Sequence, residues 1–468
     1  MRTRGSLSGP LVLILVGFVF LLRTISPNFR VTDLIARDWP YLLILWGFVS
    51  LIEVYIRFRS PGPIPRNGVS GGGWVTVVFL ALIGSAFYQW QNPSNFLQRI
   101  GFESGIDAFG EEHQYPVEAI SRVTIPTARI IFEDFRGDAK ISGADTTTVT
   151  VNGQKTIGSF NPQDADKANS QTPVEVIAEG DTVTIRCHQD HGDTHTSVST
   201  NLDVTVPKGA TIQASDSRGS IDVSSLNGDI ELTGGTLDDV RLGDIGGNVR
   251  LEAHSTQSIH CNNIKGTIDL RGRGADVELE NIAGPVSLGG DYTGTITLRG
   301  LAKTVRLQSM RTQLDARQIN GYLRLERGSL DAKDLVGPIK LTTKATDVTL
   351  TGFSDALDLD VDRGDIELRP EHSPIGRIAV HARSGNIEFA VPAAAQFALV
   401  ANTDNGEIDN QLGDALKENS QGRGSRLEGS IGAGPDVNLV TKHGSITVRK
   451  ATGEESAEAK PTAMGTNR

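Results

Sequence analysis

Cysteine is nearly absent from this chain, with two residues, Cys187 and Cys261, in 468. At most one intramolecular disulfide is therefore available. The signatures of common catalytic machinery are missing as well. There is no nucleophile elbow, Walker loop, dinucleotide fingerprint or His-Glu-x-x-His helix. Basic charge is scarce beyond residue 90, where 37 Lys and Arg face 53 Asp and Glu. A surface so acidic has little to neutralise a phosphate backbone, which excludes general nucleic-acid binding.

Glycine, in contrast, is abundant at 52 residues. Much of it belongs to a five-residue phrase that returns every nine or ten residues from about Arg218 to about Phe389. The clearest copies are Gly219-Ser-Ile-Asp-Val223, Gly228-Asp-Ile-Glu-Leu232, Gly247-Asn-Val-Arg-Leu251, Gly266-Thr-Ile-Asp-Leu270, Gly294-Thr-Ile-Thr-Leu298 and Gly364-Asp-Ile-Glu-Leu368. Apolar residues two apart point to one face of a strand, and a preceding Gly permits the positive φ of a tight corner. Nine residues are too few for an intervening helix. The spacing predicts an all-β fold, a β-solenoid or β-helix-like stack with two phrases per turn of 18–19 residues. Steps of seven residues at 321–328 and twelve at 364–376 predict a lost corner or bulge and a loop, Pro370–Ile375.

Three apolar segments precede the repeat: Pro10–Leu22, Tyr41–Ile56 and Trp74–Trp90. They read as transmembrane α-helices, the first two drawing on flanking residues for length. Arg2, Arg4, Arg57, Arg59 and Arg66 put the N-terminus and the loop between the second and third spans in the cytoplasm. The expected localisation is then a multi-pass membrane protein with residues 91–468 periplasmic or extracellular. Its expected organisation is a transmembrane hairpin at 1–56, a Pro- and Gly-rich cytoplasmic linker at 57–73 and a third helix at 74–90. A juxtamembrane linker at 91–127, the β domain at 128–450 and a disordered tail at 451–468 complete it.

Two resemblances bear on this order. Gly9–Leu22, with Asp38-Trp-Pro-Tyr-Leu-Leu-Ile-Leu-Trp-Gly-Phe48, resembles the LiaI/LiaF-like transmembrane segment, whose bearers commonly sense or report envelope stress. Further on come Phe135-Arg-Gly-Asp138, Leu202-Asp-Val-Thr-Val-Pro-Lys-Gly-Ala210 and then the serial Gly-Asp-Ile-Glu-Leu phrases. Together they resemble the toast-rack family of β-strand repeat domains, provisionally described as adhesins of unknown function. The pairing of the two implies a bacterial protein that works at the envelope.

Candidate site residues are few. Cys187 and Cys261 both fall in apolar slots, and two readings stand: separate buried thiols, or a disulfide. His188, His191 and His195 lie close enough to hold Zn²⁺ or Cu²⁺, or else belong to a solvated loop. Arg306, Arg324 and Lys340 form a local basic ladder that suits an anionic ligand, or simply a solvated face. Glycoside cleavage needs two carboxylates at a fixed separation in a cleft, and the acids here are scattered and largely matched by Arg, Lys or Thr. The expected protein is therefore no enzyme and carries no cofactor. It is a membrane-anchored envelope-stress sensor or accessory acting through ligand or protein binding; the alternative is a surface adhesin or self-associating structural protein. The expected partners are the lipid bilayer, a membrane or envelope protein, and a glycan or cell-wall polymer.

Overall fold

The computed structural model describes residues 111–451 apart from 134, 190–195 and 372–375. They fall within one unit of the chain, Phe109–Arg468. Along each strand of the repeat the two branched apolar residues turn inward and the polar residue between them turns out. Ile212, Ile230, Val249, Ile268 and Val286 lie side by side in parallel register, each 18 or 19 residues after the last. A second row, Ile221, Val240, Ile259, Val277 and Ile296, runs in the same way. All ten are buried, each contributing roughly 1.5–3 kcal/mol of transfer free energy. Each such advance of 18 or 19 residues is one wrap of the chain.

The glycines at the head of the phrase are there largely for proximity. A Cβ on Gly247 would sit 2.2 Å from the carbonyl oxygen of Gly228, one on Gly266 2.2 Å from that of Gly247, and one on Gly284 2.0 Å from that of Gly266. Backbone meets backbone there, so the expected positive φ is not the reason at these positions. It does apply at Gly364, Gly385 and Gly444, with φ of 147°, 144° and 146°. Left-handed backbone also recurs at Ser225, Asp244, Asn263 and Asn281, near φ +57°, where short polar side chains tolerate it.

The expected fold class, a β-solenoid preceded by three transmembrane helices, is corrected on two counts. First, the strands Val249–Ile264 and Ile268–Ile282 run straight through the corner between the rows and pair on both sides of it. The rows are thus one 31-stranded sheet, curled nearly closed like a barrel around the apolar residues. Nor is its direction uniform. Val305–Gln308 pairs antiparallel with Thr312–Ala316, which pairs antiparallel with Ile339–Ala345. Ile296–Leu301 pairs antiparallel with Gln318–Glu326, which folds back on Ser329–Val336. One wrap, from Thr312 to Glu326, therefore runs backwards between forward ones. The seven-residue step at 321–328 is the hairpin that ends it rather than a lost corner, and the register of that hairpin shifts between Ile319 and Tyr322, beside the step where a bulge was the other expectation. Both ends of the sheet are also antiparallel, as in Glu111–Val123 against Thr148–Ser159 and Phe397–Asn405 against Gly424–Ile431.

Second, no helix among the described residues is long and apolar enough to cross a membrane. The α-helix in the described sheet domain is Pro162–Gln171, ten residues long. The expected multi-pass localisation thus finds no spanning helix among the described residues; Pro10–Leu22, Tyr41–Ile56 and Trp74–Trp90 lie outside them. The expected linker at 91–127 is corrected too, since Glu111–Val123 is a strand. The loop expected at Pro370–Ile375 lies largely outside the described residues.

The short helix is tied down from both ends. Asn161 caps it, its Oδ1 accepting the N–H of Gln163 at 3.2 Å, and Pro162 opens the first turn. At the other end Lys155, 4% exposed, donates from Nζ to the carbonyl oxygens of Asn169 and Thr172. Those carbonyls would otherwise be unpaired helix-terminal acceptors.

Candidate binding groove

The polar slot between two buried apolar residues becomes a surface when wraps stack. Lys140, from Ala139-Lys-Ile141, stands in register between Asp203, from Leu202-Asp-Val204, and Asp222, from Ile221-Asp-Val223. Asp203 has Asn152 on its other side and Asp222 has Arg241. With Asp138, Gln154, Asn201 and Ser220 they line an open groove of about 680 Å³ whose apolar wall is Val117 of the edge strand.

Several of these side chains are fixed. Asp138 donates its N–H to Asn201 Oδ1 at 3.0 Å, and its own Oδ1 accepts the N–H of Ser220 at 3.0 Å. Gln154 donates to Gln114 at 2.9 Å, and Arg241 is paired with Asp239 at 2.7 Å. Lys140, Asp203 and Asp222 make no side-chain hydrogen bond or ion pair with the described residues. They face solvent with a cation between two carboxylates, suited to a ligand that both donates and accepts hydrogen bonds.

The groove offers little for covalent chemistry. Groups whose protonation the fold shifts lie elsewhere. Burial pushes the Cys261 thiol up to about 12. Burial, assisted by nearby Asp269, pushes the Tyr292 hydroxyl to about 12. Burial likewise holds the Lys155 ammonium below its ordinary value. None of the three lines the groove.

The expected site residues are dispersed. His188 has φ +47° and its Nε2 lies 3.2 Å from Glu175 Oε2, while His191 and His195 lie outside the described residues. No group of three potential metal ligands occurs among the described residues. Cys187 and Cys261 are buried and not joined by a disulfide, which favours the reading as separate thiols. In the basic ladder, Arg306 Nε is bonded to Asp315 Oδ1 at 2.8 Å, and Lys340 stands between Asp315 and Asp358. Arg324 belongs to the other row, between Thr297 and Asp331, and is paired with Glu326. The reversed wrap separates what sequence spacing had put on neighbouring turns. Lys140, Asp203 and Asp222 escaped the sequence reading, although their common polar slot was the signal that would have found them.

A family model described as Toastrack DUF4097 matches residues 162–449. A crystal structure from Parabacteroides distasonis, provisionally described as an adhesin, is similar at 13% identity over 74% of this chain and 98% of that one, with a TM-score of 0.22. A second from the same organism, provisionally described as a lipid binding protein, is similar at 12% identity over 73% and 98%, with a TM-score of 0.20. A Clostridium sporogenes structure, provisionally described as a cell adhesion protein, has 7% identity over 72% and 100%, with a TM-score of 0.16. Among curated proteins none matches.

Proposed function

The chain belongs to the Toastrack DUF4097 family, and from that premise we propose that it is a non-catalytic surface protein whose groove around Lys140 binds a hydroxyl-rich ligand such as a neutral glycan. The observation that supports this reading is the unspent trio Asp203, Lys140 and Asp222, aligned by strand register in an open polar groove. Sugar hydroxyls donate and accept at once, as an alternation of carboxylate and ammonium requires. Occupancy of the groove would serve an envelope-stress response or adhesion to a glycan surface.

Self-assembly is the less favoured form of adhesion. The edge strand Glu111–Val123 carries Pro116 and Glu118, and the opposite edge, Leu416–Gln421, carries Lys417 and Glu418. Charge and proline on an edge oppose strand addition. The purified full-length chain, applied to a glycan array, is expected to retain a neutral glycan, and Lys140→Ala with Asp203→Ala to lose it. Retention of no glycan, or equal retention by the double variant, would refute the assignment.

A further inference from the structure

Several arginines on the strand faces are neutralised. Arg241, Arg271, Arg306, Arg324, Arg426 and Arg449 each have a carboxylate partner. One corner of the sheet gathers several cations in a line. The strands Ile339–Ala345, Leu357–Arg363, Ile378–Ser384 and Asp436–His443 end there together, with Thr343, Val361, Ala382 and Thr441 in register. The next residues, Lys344, Asp362, Arg383 and Lys442, consequently form a line, with Arg363 one position on. Arg311 joins it where the reversed wrap begins, its carbonyl accepting the N–H of Lys344 at 3.1 Å. All five cations are exposed.

Among the described residues Arg311, Lys344, Arg363 and Lys442 have no ion pair; Arg383 is bonded to Asp362 at 3.0 Å. Asp404 closes the line at its far end, since Thr403 pairs with Thr441. A second line, Asp347, Asp365 and Glu407, runs beside the first at the start of the following strands. Asp347 and Asp365 each spend one oxygen on the backbone N–H of the next wrap. The cationic line is thus narrow, with steps of about 4.8 Å between paired strands, and it has acids along its flank. A broad anionic surface would meet those acids; a thin chain laid along the corner would not. No Phe, Tyr or Trp occurs at 309–311, 343–347, 361–365, 382–386 or 441–445, and the single imidazole of His443 gives a single-stranded nucleic acid no run of stacking platforms.

We infer that this corner docks a linear anionic polysaccharide, carboxylated or sulfated, whose charges meet Arg311, Lys344, Arg363, Arg383 and Lys442 in turn. The site shares no residue with the groove and stands whether or not the groove binds a glycan. Heparin serves as a sulfated probe and polygalacturonate as a carboxylated one, with binding to the full-length chain followed by calorimetry as salt is raised. The wild-type chain is expected to bind at least one of them, more weakly at each salt increment. The variant Lys344→Gln/Arg363→Gln/Lys442→Gln is expected to lose about tenfold or more in affinity and to show a shallower salt dependence. The control Arg241→Gln/Arg271→Gln/Arg426→Gln removes as much charge from the strand faces and is expected to keep wild-type affinity, as is Lys140→Ala. Thermal unfolding shows that each variant is folded. No binding by the wild type, an equal loss in either control, or equally tight binding of single-stranded DNA at the corner would overturn the inference.

Discussion

Asp229 Oδ1 accepts the backbone N–H of Asn248, 2.7 Å away and one wrap further on. Asn248 Oδ1 repeats the bond on the N–H of Thr267 at 2.9 Å. A side chain at the corner thus supplies the acceptor that the strand ladder does not reach, and binds each wrap to the next. Asp229→Ala should destabilise the domain by about 1 kcal/mol, since water replaces only part of an exposed bond. Urea unfolding measures it, and an unchanged midpoint would mean that the corner needs no such tie.

Two glycines in adjacent phrases should respond oppositely to the same change. Alanine at Gly247 places a methyl 2.2 Å from a backbone oxygen, whereas alanine at Gly243 meets nothing within 4 Å. Gly247→Ala should cost about 3 kcal/mol or more by forcing the wraps apart. Gly243→Ala should gain about 0.4–1 kcal/mol by restricting the unfolded chain. Equal urea midpoints for the two variants would contradict the close-approach account of the glycine column.

How much of this was legible in the sequence depends on the residue. The pairing of Ile212, Ile230 and Val249 follows from their spacing alone, and so do the inward slots of Cys261 and Cys187. The reversal at Thr312 does not. Its hairpin, around Ser309-Met-Arg311, leaves the phrase spacing at nine, and alternation of apolar residues is the same for a strand run in either direction. The basic ladder failed for that reason: Arg306 meets Asp315 where a forward wrap would have brought Arg324. The cationic corner was hidden differently, because Arg311, Lys344, Arg363 and Lys442 stand at unequal offsets from their phrases and converge only once the strands have stopped.

Cys261 links burial to pH. Its unfolded thiol ionises near 9.0 and its folded one near about 12, so between those values the folded state holds a proton that the unfolded state has released. Stability is fully present below about pH 9 and is lost as pH rises toward about 12, at about 1.4 kcal/mol per pH unit for one group. Cys261→Ala should remove that share of the alkaline decline, so the stability curves of wild type and variant converge with rising pH. Parallel curves would show that the thiol does not titrate differently in the two states. In the native protein, Cys261 should also resist a thiol reagent until denaturant is added.

Asp334 is a defect open to repair. Its backbone is left-handed at φ +55°, its Oδ1 is buried without a hydrogen-bond partner among the described residues, and burial raises its pKa above the ordinary value despite neighbouring Lys333. A raised carboxyl is least costly when protonated, so stability is lost as pH rises through its folded pKa. Asp334→Asn keeps the left-handed backbone without the charge. It should raise Tm slightly at neutral pH, with the gain vanishing in acid. A gain that persists undiminished at low pH would exclude the charge as its cause.

The backward wrap bears on how the domain assembles in time. Val305 pairs with Ala316 and Leu325 with Leu330, 11 and 5 residues apart, whereas the parallel pairs lie from 17 to 82 residues apart. Short closures are fast and cost less chain entropy, so these hairpins should form before the parallel wraps. Transition-state mapping should then find Leu307 and Leu314 substantially structured, and Ile230 and Ile446 little so. Early order at Ile230 or Ile446 with none at Leu314 would reverse that sequence of events. Equally short hairpins lie toward the ends, Glu175–Glu179 with Thr182–Arg186 and Leu416–Gln421 with Gly424–Ile431. The domain is thus seeded at its middle and its ends alike, and the parallel wraps between them are the last to be made and the first to come undone.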